Sequence, residues 1–96
     1  MRRVTDIELM ELVKERDVIA FFHTGSDQEA RLSQHVESTS VRFTGMDVVE
    51  VHADDILDAA NTCLGFVTFP RVVTFRSGNY DEEIVGFQAV ASWLDG

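Results

Sequence analysis

The five residues Val18-Ile19-Ala20-Phe21-Phe22 are apolar without a break, so neither face of a strand built from them can meet water. Strands of this kind sit inside a sheet covered on both sides, which excludes an open two-layer arrangement and requires helices above and below. Helical patterns flank the run. Thr5-Asp6-Ile7-Glu8 has capping-box spacing, and Ile7, Leu9, Met10, Leu12 and Val13 give a helix over about 6–15 an apolar stripe. Ser26-Asp27-Gln28-Glu29 repeats the box and opens a second helix, carrying Leu32 and Val36 to the Ser38-Thr39-Ser40 cluster.

Further along, Met46 to Val51 reads as a strand, and Asp54-Asp55 predicts a third helix running through Ile56, Leu57, Ala59 and Ala60 to Gly65. Val41-Arg42-Phe43 is undecided between a helix end and a short extended piece. Phe69 to Phe75 and Tyr80 to Phe87 form a hairpin about the Ser77-Gly78-Asn79 turn, and a helix over 88–94 closes the chain. Arg2 to Val4 is a candidate edge strand. Alternating strands and helices need parallel pairing with right-handed crossovers, and the terminal hairpin adds antiparallel strands. The expectation is one α/β domain over residues 1–96, a three-layer sandwich whose mixed central sheet has helices on both faces and whose central strand is parallel to its neighbours.

Composition narrows the function. Of 96 residues 45% are hydrophobic, too many for a disordered acidic chain. Seventeen acidic residues against eight basic ones leave a charge of −9, which repels nucleic acid and anionic membranes. The acidic groups Asp54-Asp55 and Asp81-Glu82-Glu83 suggest solvated faces or a basic protein partner, with solvation the favoured reading. The start turns acidic at once instead of becoming apolar, and no segment is long enough to span a bilayer, so a cytoplasmic location is expected. One cysteine, Cys63, admits neither an internal disulfide nor a multi-cysteine metal site.

The order of elements, the Val18 to Phe22 strand and the stretch Asn61-Thr62-Cys63-Leu64-Gly65-Phe66-Val67-Thr68-Phe69-Pro70-Arg71-Val72-Val73-Thr74-Phe75-Arg76-Ser77-Gly78, followed by Ile84-Val85-Gly86-Phe87, together resemble the thioredoxin family. The resemblance spans about residues 18–94. It implies a thioredoxin-like sandwich and a cis peptide bond before Pro70, the only proline. In that family the backbone beside this proline pairs with extended peptides. It thus implies a protein-binding face of Phe22, His23, Thr24, Gly25, Ser26, Thr68, Phe69, Pro70 and Arg71, with Arg71 departing from the small polar residue usual there.

The active-site pentapeptide departs further. Gly25-Ser26-Asp27-Gln28-Glu29 lies where Trp-Cys-Gly-Pro-Cys would stand, so Ser26 and Glu29 mark the position of a lost redox motif, and Ala20 replaces the family's buried acid. A hydroxyl and a carboxylate can neither attack nor resolve a disulfide. The expectation is a redox-inactive module, an assembly factor, chaperone-type domain or subunit of a larger complex, with no cofactor and no metal. Its partner would be a protein or extended peptide segment, neither nucleic acid nor membrane, with self-association through the hairpin edge or the Phe-rich loop as a further route. Two enzymatic alternatives stand beside it: a glutathione-binding or transferase-like use of Ser26, and a monothiol oxidoreductase using Cys63, a thiol expected to be partly buried. His23 is a candidate general base read more simply as a strand-end histidine. His52 with Asp54 and Asp55, joined by His35 only by chance, is read as an acidic helix cap.

Overall fold

In a computed structural model describing residues 1–96, the apolar run is strand β2 (Asp17–His23), third of five in the sheet. Its neighbours are β3 (Met46–His52), which it meets in parallel, and β4 (Arg71–Arg76), which it meets antiparallel. The expectation that both neighbours run parallel is therefore corrected on one side: with His52 beside His23 and Arg71 opposite Phe22, the chain leaves β3 and enters β4 at the same end of the sheet, so β4 runs back against β2, and a tight turn then adds β5 (Asn79–Val85) antiparallel to β4. β1 (Arg2–Arg3) pairs in parallel with β3, giving the order β1-β3-β2-β4-β5.

Helices α1 (Asp6–Val13) and α3 (Ala59–Thr62) lie on one face of the sheet, and α2 (Asp27–Ser38) and α4 (Phe87–Asp95) on the other. Period-two alternation sorts β2 between two cores. Val18, Ala20 and Phe22 join Leu9, Val13, Val51, Leu64, Val73 and Phe75, while Ile19 and Phe21 join Leu32, Val36, Val72, Val90 and Leu94. Full burial of each Val, Ile, Leu or Phe side chain among them contributes about 1.5–3 kcal/mol, which makes β2 the stripe around which the sandwich is organised.

Both capping boxes form. Thr5 Oγ1 accepts the Glu8 N–H at 3.1 Å and the Glu8 carboxylate accepts the Thr5 N–H at 3.0 Å, and Ser26 and Glu29 do the same for α2. Ser77 and Gly78 both take positive φ, 53° and 81°, as a tight two-residue hairpin turn requires. Residues 40–42 form a 3₁₀ turn, which resolves the ambiguous segment.

The third helix is the main correction. Residues 53–55 make only a 3₁₀ turn, and α3 is a single turn beginning at Ala59. The backbone between them is taken by another partner: Asp6 accepts the N–H groups of Leu57 and Asp58 at 2.9 and 3.0 Å and the Thr62 hydroxyl at 2.8 Å. Nor do Asp54 and Asp55 cap it. His52 Nδ1 accepts the Asp54 N–H at 3.0 Å, and Asp55 accepts Arg3 Nε at 2.6 Å. No helix is long and apolar enough to cross a membrane.

Candidate functional site

β2 and β4 run antiparallel with Phe22 opposite Arg71. This register brings the loop after β2, Thr24 to Ser26, and the loop before β4, Thr68 to Pro70, to the same end of the sheet. The nine residues expected to form a binding face fall at three depths. Thr24, Gly25, Ser26 and Thr68 are exposed, and Phe69 and Arg71 are half-buried. Phe22, His23 and Pro70 are buried. The Phe22 ring lies in the core with the Phe66 ring edge-on at 4.9 Å, so it supports the face from below.

Glu29, the last residue of the second capping box, is 2% exposed and gathers the loop around itself. It accepts both the N–H and the hydroxyl of Thr24, the Ser26 N–H at 3.2 Å and the Ser26 hydroxyl at 2.8 Å. Burial works against its charge, but these hydrogen bonds outweigh it and hold the carboxyl below its ordinary value. Ser26 Oγ both accepts from the Glu29 N–H and donates to the Glu29 carboxylate. Such a hydroxyl is engaged as a cap, and the buried carboxylate beside it disfavours a thiolate or other anion at this helix start.

Two histidines, paired in register at the ends of β2 and β3, underlie the loop. Their rings meet edge-on at 5.4 Å. His23 Nδ1 accepts the Gly25 N–H at 3.0 Å, and its Nε2 lies 3.2 Å from Glu50 Oε1. A ring nitrogen that accepts carries no proton, so Nε2 bears it and donates to Glu50. With both nitrogens occupied, neither bonds Ser26, and the pair forms no nucleophile–base couple. A Cβ on Gly25 would sit 2.7 Å from His52 Nε2, and φ is +86° there, so only glycine fits. The sequence reading missed this contact and Glu50. The signal available was the equal spacing of His23 and His52 from the starts of their strands.

On the other loop, the Arg71 guanidinium stacks 4.2 Å over the Phe66 ring, donates to the Thr68 carbonyl at 3.3 Å and pairs with Glu83. Arg71 thus staples the loop to β5. The Phe69–Pro70 peptide bond is cis. The N–H groups of Val67, Thr68 and Phe69 donate to no group within the chain.

Cys63 is exposed, correcting the expectation of a partly buried thiol. It ends the one-turn α3 with φ 59°, and only the next residue, Leu64, enters the core. No three His, Cys, Asp or Glu side chains are grouped so as to hold a metal ion.

No protein-family model matches the chain, and no curated protein matches it. Solved structures do. A mutant thioredoxin from Halobacterium salinarum is 24% identical with a TM-score of 0.76, over 98% of this chain and 84% of that one. Plasmodium falciparum thioredoxin is 16% identical with a TM-score of 0.79, over 99% and 97%. Mitochondrial thioredoxin 3 from Saccharomyces cerevisiae is 16% identical with a TM-score of 0.77, over 99% and 93%.

The chain has the thioredoxin fold. Within it classical dithiol exchange is excluded: with Cys63 alone there is no Cys-x-x-Cys motif, so one chain cannot pass through the internal disulfide that this exchange requires. What the thioredoxin fold retains here is the arrangement of the two loops, one closed by Glu29 and the other stapled by Arg71.

Proposed function

We propose that this chain is a redox-inactive, thioredoxin-like protein-binding module, which holds an extended segment of a partner against the loop before Pro70. The observation that carries the reading is the run of three unclaimed amides at Val67, Thr68 and Phe69, on a loop that Arg71 fixes in place. An ordered backbone with free donors pairs with an extended peptide through main-chain hydrogen bonds, and neighbouring side chains supply selectivity. Thr24, Gly25 and Ser26 form the facing wall, with Phe69 as the apolar contact. Because Glu29 organises that wall from within, the loop is ordered before a partner arrives, which lowers the ordering cost of binding. Ser26 is already engaged by Glu29, which favours this reading over a glutathione-binding enzyme.

The test is affinity capture from the native host with the wild-type chain and with Phe69→Ala, the fold of each checked by circular dichroism. A protein retained by the wild type and lost by Phe69→Ala is the expected result; identical captures, or none, would remove the proposal. In parallel, insulin-disulfide reduction with an external electron donor should give no turnover. Robust turnover that survives Cys63→Ser would defeat the redox-inactive assignment.

A further inference from the structure

β5 is paired with β4 on one side only, and six of its seven residues are exposed. Reset by the irregularity at Thr74/Phe75, its pleat places Tyr80, Glu83 and Val85 on the face shared with Phe75, Val73 and Arg71, their register partners. On this face α3 is a single turn with no buried residue. Tyr80 and Val85 are 48% and 39% exposed there. On the opposite face Glu82 stands next to the half-buried Ile84. Arg76 pairs with Asp81 and Arg71 with Glu83, whereas Glu82 has no basic partner in the chain.

A second copy fits this edge badly. Antiparallel self-pairing centred on Glu82 sets that carboxylate against its own copy and Asp81 against Glu83. Moving the centre one residue either way sets Asp81 against Asp81 or Glu83 against Glu83. Like charges directly opposite one another are destabilising. The same acids favour a strand of opposite charge, and a net charge of −9 draws such a strand in from a distance.

We propose that the free edge of β5 accepts, as a sixth strand, an extended apolar segment of another protein that carries Lys or Arg opposite Glu82. Main-chain hydrogen bonds to the outer edge supply affinity, and the ion pair with Glu82 sets register. The residues two away from the Lys or Arg rest against Ile84 on the Glu82 face, and apolar side chains of the segment rest against Tyr80 and Val85 on the other. This surface is separate from the Val67 to Phe69 amides and does not depend on their role.

The probe is a synthetic peptide, Val-Thr-Val-Lys-Val-Thr-Val with capped ends, titrated into the ¹⁵N-labelled full chain beside its counterpart with Glu in place of Lys. Expected are amide shift changes over Tyr80 to Val85, binding roughly two- to fivefold tighter for the Lys peptide at low salt, and a narrower difference at high salt. Glu82→Lys, an exposed change that leaves the backbone pairing intact, should reverse the preference. Equal binding of the two peptides, no response in β5, or a preference unchanged in Glu82→Lys overturns the inference. Shifts confined to Thr24 to Ser26 and Val67 to Phe69 overturn it while supporting the proposed function. Concentration-dependent dimerisation through β5 overturns it in favour of self-association.

Discussion

The starts of α1 and α2 carry the same four-residue pattern, Thr5-Asp6-Ile7-Glu8 and Ser26-Asp27-Gln28-Glu29, and both close as capping boxes. They differ in which acid the fold buries. At α1 it is the second residue, Asp6, 0% exposed, while Glu8 stays at the surface. At α2 it is the fourth, Glu29, while Asp27 stays at the surface. Three of the four donors to Asp6 come from Leu57, Asp58 and Thr62, more than fifty residues away, with the Ile7 N–H as the fourth. Every side-chain hydrogen bond to Glu29 comes from Thr24 or Ser26. One box ties together segments distant in the sequence; the other is a local plug of the loop after β2. The cap is written in the local sequence, and the tertiary surroundings decide what the spare carboxylate does.

The sharpest way to break the comparison is Asp6→Ala. It leaves the N–H groups of Leu57 and Asp58 and the Thr62 hydroxyl without their charged acceptor, and should cost about 3 kcal/mol, measured by urea unfolding. Acid should act in the same direction. Burial opposes the charge on Asp6, but hydrogen bonds from Leu57, Asp58, Thr62 and Ile7 outweigh it and hold the carboxyl below its ordinary value. A carboxyl lowered on folding contributes stability that is fully present above the unfolded value, about 3.9, and is lost as pH falls through the lower folded value. The melting temperature should therefore fall more steeply below about pH 4 in the wild type than in Asp6→Ala. Parallel profiles would show that Asp6 does not carry the tie.

Glu29→Gln should have the next largest effect, about 1–2 kcal/mol, because the amide retains one acceptor oxygen but loses the charge that favours four hydrogen bonds. Its signature should be confined to the amides of Thr24 to Ser26 in a ¹⁵N spectrum, with residues 57–62 unmoved. Shifts at 57–62 as large as those at the loop would show that the two boxes are coupled rather than independent.

The same contrast accounts for how much of the molecule the sequence disclosed. β2, both boxes, the hairpin and α4 follow from periodicity and turn residues, which are local, and so could be read from neighbours in the chain. The third helix was overextended because the partner that diverts Leu57 and Asp58 is Asp6, and no window around residue 57 contains it. The site divides in the same manner. Ser26 and Glu29 were legible as a cap. The His52 contact with Gly25 and the Arg71–Phe66 stack join separate segments, and only the register of β2 with β3 and β4 brings those segments together. Phe22 was assigned to the surface because the family likeness gave its position along the strand but not its depth.

The smallest expected effects come from the two cap hydroxyls, and they offer the finest test of the distinction. Thr5→Ala removes an acceptor from the Glu8 N–H and should cost about 1 kcal/mol, with Asp6 still holding its distant donors. Ser26→Ala removes the acceptor from the Glu29 N–H and also one of the donors to the Glu29 carboxylate. The loss should again be about 1 kcal/mol from the cap, with a further part from the weakened carboxylate cluster. A double-mutant cycle of Ser26→Ala with Glu29→Gln should therefore be non-additive, because both side chains belong to one network. Thr5→Ala with Asp6→Ala should add, since the Thr5 hydroxyl and the Asp6 carboxylate share no partner. Additivity in both cycles would mean that Glu29 is held by the wider loop and not by Ser26.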